Sequence, residues 1–350
     1  MKALVYHGNG SKAWEEVADP GIVEPTDVVV HVDTTTICGT DLHILRGDVP
    51  AVTPGRVLGH EAVGTVVETG SAVRRVARGD RVLVPAVTCC GACDYCRRQQ
   101  PSHCQSVGGI GWVLGHLVDG TQAEYVRVPF GDTSLHTLPE GLADQEAICL
   151  ADIVPTGYEM GVRNGAVEPG DCVVCLGAGP VGLAAMATAS LHGARRVVAV
   201  DLDPFRLERA TTSFGATHAV DAADPDWQAQ VLAQCGPYGA DVVLEAVGVP
   251  STLEAAVELV RPYGRVANLG VHGAPVTLPM DRLWIENITL TTGLVDTTTV
   301  PTLLDLVADG TLDLRDMASH TFDLDQILTA YEVFDDAAKH RALKVVLQTT

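Results

Sequence analysis

The run Cys172-Val-Val-Cys-Leu176 leads straight into Gly177-Ala-Gly179-Pro-Val-Gly182, and an alanine-rich apolar stretch follows to Leu191. An apolar strand, a glycine-rich turn and a helix in that order constrain the fold more than anything else in the chain. Gly177 allows the tight turn, Gly179 lets a pyrophosphate approach the backbone, and Gly182 lets helix and strand pack closely. Pro180 suits the first helical position, where its missing N–H costs nothing. Val181 belongs to the same first turn, whose free N–H groups and positive dipole end favour phosphate.

The alternation continues. We expect strands at 196–201, 218–221, 241–247 and 264–269, with helices at 178–191, 204–214, 226–234 and 251–261 between them. A last strand over 288–295 precedes a helix over 300–309. Strands separated by helices imply a doubly wound parallel sheet covered on both faces, and so the α/β class. Asp201 closes the second strand, where an acidic side chain accepts bonds from the adenosine ribose hydroxyls and repels a 2′-phosphate. NAD is therefore expected rather than NADP, although Arg206 could reach around to a phosphate. The alternative is the same fold with another ligand or none.

Residues 1–150 read differently. Short apolar runs at 3–6, 27–33, 64–68, 80–84 and 123–129 are punctuated by Gly, Pro and Asp, which suits an irregular antiparallel β-barrel. The β-branched run Ala342–Gln348 is expected to return to this first domain. The expected boundaries are 1–155 with 296–350 for the strand-rich domain, and 156–295 for the dinucleotide domain.

With 23 Lys+Arg against 44 Asp+Glu, the formal net charge is −21. No basic stripe is present to displace counterions, so nucleic acid and anionic membrane surfaces are not expected partners. No apolar run approaches the roughly 20 residues of a membrane span. The opening Met1-Lys-Ala-Leu-Val5 reads as a strand rather than a secretory leader, and a cytoplasmic location is expected.

Cys90-x2-Cys93-x2-Cys96-x7-Cys104 gathers four of the 10 cysteines. Zinc takes four such ligands tetrahedrally, and a site filled by four thiolates leaves no place for substrate, so this zinc would be structural. Cys89 competes for the register, and disulfides or free thiols are the alternative. Cys149, Cys172, Cys175 and Cys235 sit among apolar residues and read as small core residues. A second group, Cys38-Gly-Thr40-Asp41-Leu-His43 and Gly59-His60-Glu61, offers further metal-capable side chains. Cys38 and His60 could hold another zinc, though each taken singly is as readily a core residue as a ligand.

These motifs, in this order and over essentially the whole chain, resemble the zinc-containing medium-chain alcohol dehydrogenases, most closely the shorter members acting on secondary alcohols. The resemblance implies a GroES-like catalytic domain beside the Rossmann domain. It implies a catalytic zinc on Cys38, His60 and a third ligand, for which this chain offers Asp152 where many relatives have Cys. Asp152 as an ordinary helix cap is the alternative. Glu61 would approach the zinc as a movable ligand or stand behind it, and Asp41 would orient the His60 ring. Thr40 and His43 would relay the substrate proton through a cofactor ribose hydroxyl to solvent. Leu269 to Val271 and Gly293 to Val295 would flank the nicotinamide, with His272 less securely placed. Lys344 would lie near the cofactor pyrophosphate, unless it is an ordinary strand lysine. Trp112, Leu114 and Leu294 are candidate pocket residues.

The expected reaction is hydride transfer between an alcohol, by resemblance a secondary one, and NAD, with two zinc ions per chain. Alternatives are a polyol or 3-hydroxy amino acid dehydrogenase, an NAD-retaining aldehyde dismutase, and a non-enzymatic fold relative. The substrate would be a small alcohol, ketone or aldehyde. The assembly implied is a homotetramer, with a dimer as the other choice; the edge strand near 288–295 would pair across a two-fold axis.

Overall fold

The computed structural model describes residues 1–349. It divides into two compact units, one formed by Met1–Asp152 with Asp296–Thr350 and the other by Ile153–Val295.

The second unit is built on a six-stranded sheet, entirely parallel. Across it lie His218–Asp221, Arg196–Asp201, Cys172–Leu176, Ala240–Glu245, Val260–Asn268 and Thr289–Thr292. Numbered along the chain, this order is that of a Rossmann fold, with the first strand at the centre. Cys172–Leu176 is buried throughout because helices cover both faces. Pro180–Leu191 is buried from Gly182 to Ala189 on every side, which explains why its sequence carries no polar stripe. Ahead of the sheet, Ile153–Pro155 runs into a π-helix over Thr156–Arg163, which the sequence reading did not anticipate.

The first unit carries two sheets. Ser11–Glu16, Lys2–Gly8 and Arg56–Val57 form the smaller. The larger joins Ala318–Asp323, Lys344–Gln348, Val28–Ile37, Ala62–Thr69, Arg81–Val84 and His136–Thr137, with Tyr125–Val128 also paired to Val28–Ile37. Lys344–Gln348 lies antiparallel on the end of Val28–Ile37, Val345 opposite Ile37. The strand Val28–Ile37 thus sits between segments distant in sequence, and its end leads directly to the half-buried Cys38. Among the described residues no helix is long and apolar enough to cross a membrane.

Candidate active site

Local chemistry sets each metal-capable side chain. After Val28–Ile37 the chain turns into the helix Gly39–Arg46, and Asp41 reaches back so that its Oδ2 accepts the Cys38 N–H at 3.0 Å. Gly47, at φ 87°, ends that helix in the left-handed region where glycine is least strained. Gly59, at φ 90°, aims His60 and Glu61 inward; a Cβ there would stand 2.6 Å from Gln122 Cγ. Asp152 follows the turn Ile148–Leu150.

These turns bring Cys38, His60, Glu61 and Asp152 together, one ligand atom of each within 4.8 Å of the others. Cys38 Sγ and Asp152 Oδ2 are 3.6 Å apart, and His60 Nε2 lies 3.6 Å from the same oxygen. Tetrahedral zinc with ordinary bond lengths separates S and O by about 3.6 Å and N and O by about 3.4 Å. These two separations match a tetrahedral zinc shell, and the chemistry of the donors suits that ion. Asp152 turns its Oδ2 to this cluster. His60 Nδ1 and Asp41 Oδ1 are both buried without another partner and face each other at 4.0 Å. Burial works against charge on His60, but Asp152 and Cys38 outweigh it and hold the ring well above its ordinary pKa while no cation shares the donors.

Glu61 Oε1 is 3.8 Å from His60 Nε2. Its two oxygens accept bonds from Lys344 Nζ at 2.7 and 2.9 Å, with both side chains 1% exposed. Burial disfavours the ammonium, yet facing Glu61 keeps Lys344 charged, well above its ordinary range. The resemblance implied a place for Lys344 beside the pyrophosphate; in the structure its ammonium pairs with Glu61, next to Cys38, His60 and Asp152. Thr40 Oγ1 is 3.7 Å from Cys38 Sγ, and the half-buried His43 pairs its Nδ1 with Asp48 Oδ2 at 2.8 Å. Trp112 meets the His60 ring edge-on, with centroids 6.1 Å apart. Leu114 is buried in the barrel core and Leu294 is half-buried in the other unit.

Cys90, Cys93, Cys96 and Cys104 form the second cluster. Their sulfurs lie 3.5 to 3.9 Å apart across the pairs 93–96, 90–96 and 93–104. A tetrahedron with zinc–sulfur bonds of about 2.3 Å has edges of about 3.8 Å. Backbone N–H groups of Ala92 and Cys93 already point at Cys90 Sγ, at 3.4 and 3.3 Å. The Cys96 backbone, then that of Gln105, lowers the Cys93 thiol to about 6. Cys89 turns its sulfur to the Thr133 carbonyl, which decides the register. Cys149, Cys172 and Cys175 are buried, whereas Cys235 is only half-buried.

In the parallel unit, Gly177 has φ 97°, and a Cβ on Gly182 would meet Gly177 O at 2.0 Å. A Cβ on Gly179 would meet only Arg206 Nη1, at 3.8 Å, so its outer side is open to a phosphate. Gly179 caps the helix, Pro180 is its first residue, and Val181 lies in the same turn. Asp201 ties this region together, accepting the Ala178 N–H at 2.6 Å and the Asp203 N–H at 2.9 Å. Leu269 N donates to Glu245 O. Val271 is exposed, Val295 is buried, and Gly293 packs on Met160. His272 bonds Asn268 Oδ1 at 2.8 Å beside the buried Glu245, whose Oε1 accepts Val247 N, Gly248 N and Thr252 Oγ1. Glu245, Gln122 and Tyr331 were absent from the sequence-based site because a lone Glu, Gln or Tyr carries no spacing signal.

A Rossmann sheet together with a strand-rich unit bearing two zinc-type donor sets defines a class, the two-domain dehydrogenases. Two family profiles match the chain, the alcohol dehydrogenase GroES-like domain over residues 24–140 and the zinc-binding dehydrogenase domain over residues 180–309. An alcohol dehydrogenase of Cupriavidus necator is 34% identical over 95% of this chain and 95% of its own length. Among solved structures, the apo form of zinc dependent alcohol dehydrogenase 2 from Streptococcus pneumonia is 44% identical, with a TM-score of 0.95 over 100% of this chain and 98% of that one. Alcohol dehydrogenase TADH from Thermus sp. ATN1 is 39% identical, with a TM-score of 0.91 over 100% of both chains. The chain belongs to the zinc-containing medium-chain alcohol dehydrogenase family.

Proposed function

We propose that the protein oxidises an alcohol, by resemblance a secondary one, with NAD, and reduces the matching ketone in reverse. Cys38, His60 and Asp152 would hold the catalytic zinc with Glu61 in reach, and Cys90, Cys93, Cys96 and Cys104 the structural one. The convergence of Cys38, His60 and Asp152 at zinc-shell separations carries this reading. When bound, zinc supplies Lewis acidity toward a hydroxyl or carbonyl oxygen and the dinucleotide accepts or returns a hydride.

The chain's own residues do the rest. Cys38 and Asp152 contribute two anionic donors, and Lys344 cancels the charge that Glu61 would add. Thr40 Oγ can accept a proton while donating its own. His43, oriented by Asp48 and partly open to water, holds the outer end of a proton path. Gly179 and the free amides of the Pro180 turn receive the pyrophosphate. Asp201 disfavours a 2′-phosphate and is the group to change if NADP use is sought, while Arg206 is the cation that could reach such a phosphate.

Homo-oligomerisation, by resemblance to a tetramer, is supported by Thr289–Thr292, which ends its sheet with one side unpaired. Exposed Met280, Trp284 and Ile285 precede it. Light scattering of the purified protein tests this. Cytoplasmic operation suits ten cysteines, none of them in a disulfide. The reaction itself is tested by NADH formation with primary, secondary, aromatic and polyhydroxy alcohols. A preference for secondary alcohols is expected. No turnover by zinc-replete protein, in either direction and with either cofactor, overturns the proposal.

A further inference from the structure

Gln122 is fully buried and lies in none of the metal-type motifs. Its Nε2 donates to Asp41 Oδ2 at 2.9 Å and to the Thr36 carbonyl at 3.0 Å. Both partners only accept, so the orientation of the amide is settled by its surroundings. Its Oε1 is left needing a donor, and Tyr331 OH supplies one at 2.8 Å across 209 residues of sequence. Tyr331 is 2% exposed, and burial pushes its phenol well above the ordinary pKa, so it stays a donor. It projects from the helix Ile327–Asp335.

The other end of this chain of bonds is the metal-type cluster. Asp41 Oδ2, held by Gln122, also accepts the Cys38 N–H at 3.0 Å. Asp41 Oδ1 has no partner of its own and faces His60 Nδ1 at 4.0 Å, and that ring nitrogen is equally orphaned. Closing that gap by about 1 Å gives an ordinary hydrogen bond. It also fixes the ring with Nδ1 protonated, leaving Nε2 as the ligand atom.

We propose that Tyr331 and Gln122 are positioning residues for the zinc centre: through Asp41 they set the orientation of His60 and the backbone of Cys38. The inference rests on the zinc reading above. A carboxylate free to rotate would share its oxygens between Cys38 N and His60 Nδ1 in several ways. The Tyr331–Gln122 pair leaves one. The last helix of the strand-rich unit thereby becomes part of the metal site without touching the metal.

The test is cobalt(II) exchanged into the Cys38/His60 centre of the whole protein, with zinc retained on the four cysteines, together with zinc affinity measured by chelator competition. Tyr331→Phe removes one hydroxyl. It is expected to weaken zinc at this centre roughly 10-fold, the low end for partners standing behind metal ligands. It should also shift the cobalt visible bands and lower kcat with little change in KM for NAD. Ala330→Gly loosens the same helix without touching the bonds and is expected to lower Tm while leaving spectrum and affinity alone. Should Tyr331→Phe not fold, Gln122→Glu, which keeps the shape but loses the bond to Asp41, must show the same shifts. A Tyr331→Phe protein with wild-type spectrum and affinity overturns this inference alone. A wild-type protein that takes up no cobalt or zinc at this centre overturns the zinc reading beneath it.

Discussion

Removing the Lys344 ammonium would leave the Glu61 carboxylate alone where neither side chain is more than 1% exposed. Breaking one side of such a pair costs about 3–5 kcal/mol, since a buried charge loses its compensation. Lys344→Met should therefore lower the denaturation midpoint strongly, and adding Glu61→Leu should recover much of the loss; equal midpoints for Lys344→Met and wild type would refute this. Thr40→Ala removes a hydroxyl 3.7 Å from Cys38 Sγ without removing a metal donor. Turnover should fall by ~10²–10⁴ if that hydroxyl handles the substrate proton, while zinc content by atomic absorption stays at the wild-type level. His136 offers a pH test of stability. Burial, helped by Arg75, lowers its pKa from 6.5 to about 4. The unfolded chain takes up this proton near 6.5 and the folded chain only near 4. Its contribution is whole above pH 6.5 and shrinks as pH falls through that window, by about 3 kcal/mol at most before solvent screening. His136→Gln should flatten the decline in Tm between those pH values, and an unchanged slope would refute the assignment.

The elements differ in what holds them. The four-cysteine lobe contains only the short helix Asp94–Arg97 and two single turns, Pro101–His103 and Gln105–Val107. Tyr95 is 41% exposed, so little apolar surface supports the lobe. Chelation should make residues 90–104 susceptible to limited proteolysis while the Rossmann unit keeps its circular dichroism; a lobe that stays resistant without metal would show that packing suffices. Sequence legibility follows the same physics. Arg196–Asp201 and His218–Asp221 have the bounds expected: Val197, Val198 and Val200 make the first a β-branched run, and the second is a short stretch around Val220 closed by turn signals. Ser11–Glu16 was missed, since Lys12, Glu15 and Glu16 line a half-exposed edge with no apolar alternation. The helix Gly39–Arg46 was hidden by its glycine and β-branched start, and exists because Asp41 and Gly47 cap it. The expected helix at 251–261 stops at Leu259, where Val260 already pairs with Ala240. The four-cysteine cluster was legible because Cys90, Cys93, Cys96 and Cys104 recur at ligand spacings, whereas the grouping of Cys38, His60 and Asp152 was implied only by the family resemblance. Gln122 and Tyr331 were not legible, because their role exists only once distant segments meet.

At the scale of the molecule, the net charge of −21 is spread over 350 residues with few compensating cations. Mutual repulsion of that size destabilises a compact state and is screened within about 10 Å at 0.1 M salt. Tm should therefore rise between low salt and a few tenths molar sodium chloride, and a flat or falling profile would mean that local ion pairs outweigh the global field. The strand-rich unit is also closed by two stretches of chain that the dinucleotide unit separates. Glu61 must wait for Lys344, 283 residues later, and Gln122 for Tyr331. On the ribosome, the amino-terminal half therefore emerges with a carboxylate and an amide destined for burial but still lacking their partners. The Rossmann unit, contiguous in sequence, can finish first. Completion of the proposed metal site would then be a late event in biogenesis, and a nascent chain halted before the final strand would carry a folded dinucleotide unit with Glu61 still lacking Lys344.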